Sequence, residues 1–307
     1  MFHSSCVEGL RKFGVEQACP LCRAPLPEGP EKLNESAARR FMIYELLVDH
    51  GKASWASLPT AAREQVRVAL SEWRAAAGQG HVLAQYNLGN LYHLGKGVAK
   101  NEATAAQWYK KAADQGYAMA QYCLGNVYLH GGGVARDPVE AAKWFQKAAE
   151  QGSAEAQGGL GTMYSEGLGV KQSYAKAIEW WKKAAVQGNV HSQYDLGVNH
   201  SAGRGVAKDM LEAVKWFSMA AQQGYAKAQY NMGCACMDGV GVLPNPLEAV
   251  NWWRKAADQG HDQAQFVLGH LHSKGKVVEK SENEAKRWWR KAARQGHMQA
   301  LAQLRNC

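Results

Sequence analysis

Residues 115–152 read Gln115-Gly-Tyr-Ala-Met-Ala-Gln-Tyr-Cys-Leu-Gly125-Asn-Val-Tyr-Leu-His-Gly131-Gly-Gly-Val-Ala-Arg-Asp-Pro-Val-Glu-Ala-Ala-Lys-Trp144-Phe-Gln-Lys-Ala-Ala-Glu-Gln151-Gly152. The stretch opens and closes on Gln-Gly, one step of 36 residues apart, and that step decides the fold. The same pair stands at Gln79-Gly80, Gln187-Gly188, Gln223-Gly224, Gln259-Gly260 and Gln295-Gly296. Tryptophan keeps the period at Trp108, Trp144, Trp180, Trp216, Trp252 and Trp288, with Trp73 one residue out of step before them. Glycine pairs follow it too, from Gly95/Gly97 to Gly239/Gly241, and the last unit has Gly275 with Val277. A fixed period of this length marks stacked supersecondary units. Six full units run 81–296.

Each unit reads as two helices. Ala84, Leu88 and Tyr92 lie at i, i+4 and i+8, one face of a helix that the Gly95-Lys96-Gly97 turn ends. Ala105, Trp108 and Ala112 mark the face of a second helix, stopped by Gln115-Gly116. Small Ala and Gly let helices approach closely, and each Trp is expected to fill the space between neighbouring units. One hairpin cannot bury its apolar face alone, so the units must stack into an all-α solenoid. Residues 61–80 read as a second helix without its partner, and 297–307 begin a seventh first helix through Ala300 and Leu304. Asn34 to Asp49 reads as a helix with Asn34 as its N-cap, expected to lie against the first hairpin.

The runs Ala120-Gln-Tyr-Cys-Leu-Gly125, Gly131-Gly-Gly-Val134, Ala141-Ala-Lys-Trp144 and Lys147-Ala-Ala-Glu-Gln-Gly152 resemble the Sel-1-like repeat family, a relative of the tetratricopeptide repeats. The resemblance covers residues 62–307. It implies a right-handed superhelix of α-hairpins that serves as a protein-binding scaffold. Some bacterial members carry a cysteine pair in every unit, and this chain does not.

Composition excludes several classes. With 46% hydrophobic and 21% charged residues, the 307-residue chain is not wholly disordered. No run of about 18 apolar residues exists to span a bilayer. The start, Met1-Phe2-His3-Ser4-Ser5-Cys6, is no signal peptide. Seven cysteines, clustered unevenly, suggest no disulfide framework, so a reducing compartment, cytoplasmic or nuclear, is expected. The net charge of +9 maps onto the array: residues 1–60 balance, while 61–116 hold three and 261–307 five of the surplus positive charges. Lys286, Arg287, Arg290, Lys291 and Arg294 share one helix; a solvated cap on the terminal repeat ranks ahead of an acidic partner, nucleic acid or an anionic membrane surface.

Ahead of the array, His3-x-x-Cys6 and Cys19-Pro20-Leu21-Cys22-Arg23 stand twelve residues apart, with the thiolate and imidazole donors of structural zinc sites. Residues 1–30 resemble the second half of a RING-type zinc finger, in the variant with His at the fifth ligand position. The resemblance implies a cross-brace in which one zinc takes His3 and Cys6 and the other Cys19 and Cys22. It also implies that Pro20, Leu21 and Arg23 touch a ubiquitin-conjugating enzyme. The four preceding ligands would lie before Met1, so each zinc keeps two of its four, and a truncated chain is the expectation. Residues 31–61 would connect this segment to the solenoid.

No catalytic grouping recurs. The Gly-x-Gly-Val turns follow no strand and so are not nucleotide loops. Cys234 and Cys236 lie two apart on a helix and diverge, which makes burial of Cys236 the expectation over metal binding. The histidines read as packing or turn residues. Tyr86, Tyr122, Tyr194, Tyr230 and Phe266 share one position, about 200° around the helix from Ala84. Such a row, beside Asn87, Asn126 and Asn231, would suit an extended peptide, although packing against the adjacent hairpin is the stronger expectation. Three functions follow: the substrate arm of a RING-type ubiquitin ligase, a non-enzymatic scaffold with a remnant finger, or a basic solenoid binding nucleic acid.

Overall fold

The computed structural model describes residues 30–49 and 58–305, and every element among them is an α-helix. The chain divides into two compact units, Met1–Ser153 and Ala154–Cys307. In the first lie α1 (Pro30–Asp49), α2 (Thr60–Gly78), α3 (Val82–Leu94), α4 (Glu102–Asp114), α5 (Ala118–His130) and α6 (Pro138–Glu150). The second holds α7 (Ala154–Glu166), α8 (Tyr174–Val186), α9 (Val190–Ala202), α10 (Met210–Gln222), α11 (Ala226–Asp238), α12 (Pro246–Asp258), α13 (Asp262–Lys274), α14 (Glu282–Arg294) and α15 (Met298–Arg305). Within each unit, helices consecutive in sequence pack on one another, the pattern of an α/α solenoid.

The boundaries follow from local chemistry. First helices end on glycines with φ near +70°, as at Gly95, where a side chain would be strained. Second helices begin at Asn101, Asp137, Ser173, Asp209, Asn245 and Ser281, whose side chains accept the free backbone N–H groups of the first turn. Pro138 and Pro246 occupy the first turn, where no N–H is missed. Three histidines of the turns are also caps: His81, His261 and His297 accept from Ala84, Ala264 and Ala300 N–H.

The residue that fills each hairpin is not the periodic Trp but the one after it. Tyr109, Phe145, Trp181, Phe217, Trp253 and Trp289 are all buried, whereas Trp108, Trp180, Trp216 and Trp252 are half-exposed and only Trp144 and Trp288 are buried. The deep ring lies against a glycine of the first helix. A Cβ on Gly89 would come within 2.5 Å of Tyr109, one on Gly161 within 2.5 Å of Trp181 and one on Gly197 within 2.6 Å of Phe217. The Leu-Gly pair, Met232-Gly233 in the fifth unit, is thus a socket and the aromatic its plug. Trp73 stands one residue out of step because it belongs to this deep row: it is buried and packs on Phe41 at 5.2 Å.

The Gln of each Gln-Gly turn does more than stop a helix. Gln115 Nε2 donates to Gln85 Oε1 at 2.7 Å, and the buried Gln85 donates to the Ala77 carbonyl at the end of α2. Gln151 and Gln121 repeat this in the first unit; Gln223 with Gln193, Gln259 with Gln229 and Gln295 with Gln265 repeat it in the second. Each pair ties a hairpin to the helix before it and satisfies carbonyls that the helix end leaves open.

Two expectations for the N-terminal side change. The helix begins at Pro30, so Asn34 is not its cap; four residues in, its Oδ1 accepts from Trp73 Nε1 at 3.0 Å and from Asn87 Nδ2 at 3.4 Å. Nor does α2 lack a partner. α1 packs against it, with Arg40 and Ser36 on Glu72 and Arg40 Nη1 donating to Gln65 at 2.6 Å. Helix α1 does reach the first hairpin, through Lys96–Glu45 at 2.7 Å and through Phe41 under Gly97. At the other end, α15 is the expected start of a seventh first helix, with Ala300 buried.

Candidate functional site

The row of first-helix aromatics is real and is wedged rather than free. Each ring is half-buried. In the first unit Tyr86 meets Tyr117 edge-on at 5.2 Å and leans on Tyr109 at 6.1 Å, and Tyr122 leans on Phe145 at 5.7 Å. In the second unit Tyr194 sits between Phe217 at 5.8 Å and Tyr225 at 5.1 Å, Tyr230 stacks on His261 at 4.9 Å and Phe266 on His297 at 4.7 Å. One side of each ring therefore rests on the deep aromatic of its own hairpin or on the residue that opens the next first helix. Packing takes the larger share, and an exposed edge is what remains for a partner. At Gly158 the row has no ring; a Cβ there would reach within 2.9 Å of Ser192 Oγ.

The amides beside the row are engaged within the chain. Asn87 donates to Asn34, Asn126 to the Tyr122 carbonyl at 3.2 Å, and Asn231 is hydrogen-bonded to Tyr194. Sequence periodicity places these residues correctly but cannot show that each is already hydrogen-bonded within the chain. Asp195 occupies the same row position as Asn87 and Asn231, and sequence reading gave it no role. Burial, with the Glu166 carboxylate nearby, pushes its carboxyl up to about 6. Cys123, another member of that position, lies against the Tyr86 hydroxyl, and burial pushes its thiol up to about 11, so it is a poor nucleophile at neutral pH.

Cys236 is buried in the core of the second unit, as expected, and Cys234 is half-buried. Among the described residues no group of three or more His, Cys, Asp or Glu side chains could hold a metal. None of the described helices is long and apolar enough to cross a membrane. His3, Cys6, Cys19, Pro20, Leu21, Cys22 and Arg23 lie outside the described residues.

Six consecutive Sel1 repeats match the chain, over residues 82–117, 118–153, 154–189, 190–225, 226–261 and 262–297. The chain belongs to the Sel1 repeat family. These units begin one residue later than the Gln-Gly step places them. Among solved structures, the chain is similar to c5321, a protective antigen present in uropathogenic Escherichia coli strains displaying an SLR fold. The two share 33% identity over 97% of this chain and 58% of that one, with a TM-score of 0.79. It is also similar to a Sel1 repeat protein from Oxalobacter formigenes, with 31% identity over 82% of this chain and 96% of that one, at a TM-score of 0.68. The chain thus spans little more than half the length of the antigen it resembles. No curated protein matches it.

Proposed function

We propose that this Sel1 repeat protein is a protein-interaction scaffold that holds a peptide or protein segment on the first-helix aromatics of a unit. The observation that carries the reading is the recurrence of a half-exposed ring at one position, Tyr86, Tyr122, Tyr194, Tyr230 and Phe266, on helices held rigid by plugged sockets and glutamine pairs. Rigid aromatic edges offer contact area at little entropic cost. Pull-down with the full chain tests it against a variant carrying Tyr194→Ala and Tyr230→Ala. A partner retained by the parent should be lost from the variant while its thermal melt stays cooperative. Undiminished capture by the folded variant would overturn the reading.

The finer reading is a substrate-recognition arm for a RING-type ubiquitin ligase. His3-x-x-Cys6 and Cys19-x-x-Cys22, with Pro20, Leu21 and Arg23 between and beside them, support it. The donor set falls short of two complete sites, since four ligands cannot close two tetrahedral zinc centres. The ligase reading therefore requires four further Cys or His ligands beyond these four. It predicts that the product carrying them binds zinc and ubiquitinates itself with a conjugating enzyme, and that Cys19→Ser with Cys22→Ser removes both. If that product neither binds zinc nor transfers ubiquitin, the chain is a scaffold alone.

A further inference from the structure

Five of the six periodic tryptophans lie under a lysine three residues on. In the first unit Lys111 covers Trp108 and Lys147 covers Trp144, each with its ammonium 4.1 Å from the ring centre. In the second, Lys183 covers Trp180, Lys255 covers Trp252 and Lys291 covers Trp288, at 4.2, 4.3 and 4.1 Å. Trp216, on α10, has Met219 in that place. The row of cations along the second helices is interrupted there by an uncharged thioether.

Exposed apolar side chains stand on α10 and on α12, and on α10 Lys215 is paired with Glu212 at 3.1 Å. Met219 is 41% exposed, Leu211, two turns earlier on α10, is 66% exposed, and Leu247, the matching residue of α12, is 67% exposed. Trp216 packs against the core cluster that holds Ala177, Ile178 and Trp181 of α8, and Trp252 packs against the core that α10 shares with α12, so the three second helices are successive layers. The flanking layers keep their charge: Lys182 and Lys183 on α8, and Arg254 and Lys255 on α12, are all exposed. An apolar side chain laid on any sister tryptophan must displace or desolvate an ammonium group, which is costly. On Trp216 it meets the flexible, polarizable Met219 in place of that ammonium group. Cations on both sides then favour carboxylates before and after that side chain.

We propose that the outer face of α10, centred on Trp216 and Met219, docks a protein segment that presents one apolar side chain flanked on both sides by Asp or Glu. The site lies on second helices, apart from the aromatic row of the first helices, so either can fail while the other stands.

Met219→Lys is the decisive variant, because it installs the residue that five sister units already carry at that position. A displayed random dodecapeptide library is selected on the full chain and counter-selected on the Met219→Lys chain, with equal melting curves confirming that both fold alike. The expected survivors carry Leu, Phe or Trp between acidic residues. Their synthetic forms should lose at least about tenfold in affinity for Met219→Lys, for the Lys183→Glu, Lys255→Glu chain, and when their own apolar residue becomes Ser. Survivors without that pattern, or survivors that bind Met219→Lys as tightly as the parent, would overturn the proposal. So would an outcome in which no peptide discriminates but a short single-stranded RNA binds more tightly to Met219→Lys, since an added positive charge favours phosphates and blocks an apolar anchor.

Discussion

The joint between α1 and α2 and the joints inside the repeats solve one packing problem with different chemistry. In a repeat, an aromatic ring drops onto a bare glycine and two glutamines span the hairpin, so the fit is set by volume and by neutral hydrogen bonds. In the α1–α2 pair, Glu72 takes the position that Trp108 and its sisters hold elsewhere. It is buried against Arg40 and Ser36, with one carboxylate oxygen unpartnered. The socket and the glutamine pair of a repeat therefore carry no charge, whereas this hairpin rests on a buried carboxylate. A unit that must be copied gains from a rule every copy can share, whereas a hairpin built once can rest on a particular charge pair.

The comparison breaks most visibly at a socket. Gly161→Val should destabilise the second unit by about 3 kcal/mol, because its Cβ would already stand 2.5 Å from Trp181 before the methyl groups are added. Chemical denaturation of the full chain measures this, and a loss no larger than that of a surface substitution would show that the ring can move aside. Gln121→Ala comes next. It strips the donor from the Ala113 carbonyl and the acceptor from Gln151, for an expected loss of about 2 kcal/mol.

Glu72 sharpens the contrast through pH. Burial outweighs the pull of Arg40 and holds its carboxyl above the usual range. A raised carboxyl pKa means that the folded state binds the proton more readily than the unfolded state. The stability it contributes is present below the unfolded value, near 4.5, and is lost as pH rises through the folded one. Glu72→Gln should therefore abolish that part of the decline in stability above about pH 4.5. Parallel urea melts of parent and variant across pH 4 to 7 follow it, and identical slopes would contradict the burial of a charged group. The smallest effect belongs to the lysine row: Lys147→Met, which copies the α10 arrangement into α6, should cost about 0.5 kcal/mol or less. A thermal shift well beyond that would mean the lysines hold the fold rather than merely cover it.

Much of this was legible in the chain itself. The 36-residue Gln-Gly step, the Gly pairs and the Ala stripes determined the hairpins, their number and their turns, because such features act through local backbone geometry and helical period. Membership of the resembled family, the start of α15 and the burial of Cys236 were readable for the same reason. Which aromatic plugs the socket was not, since adjacent residues on a helix differ by only 100° and both rows are aromatic. Only packing showed that the ring after each Trp goes deep, that Trp73 belongs with those deep rings, and that Asn34 serves Trp73 instead of capping its own helix. Only packing, too, showed that the amides beside the aromatic row already have partners within the chain and that Met219 stands where its sisters place an ammonium over indole. Period and propensity are properties of one segment at a time; a plug and its socket, or a cation and its ring, exist only when two faces meet.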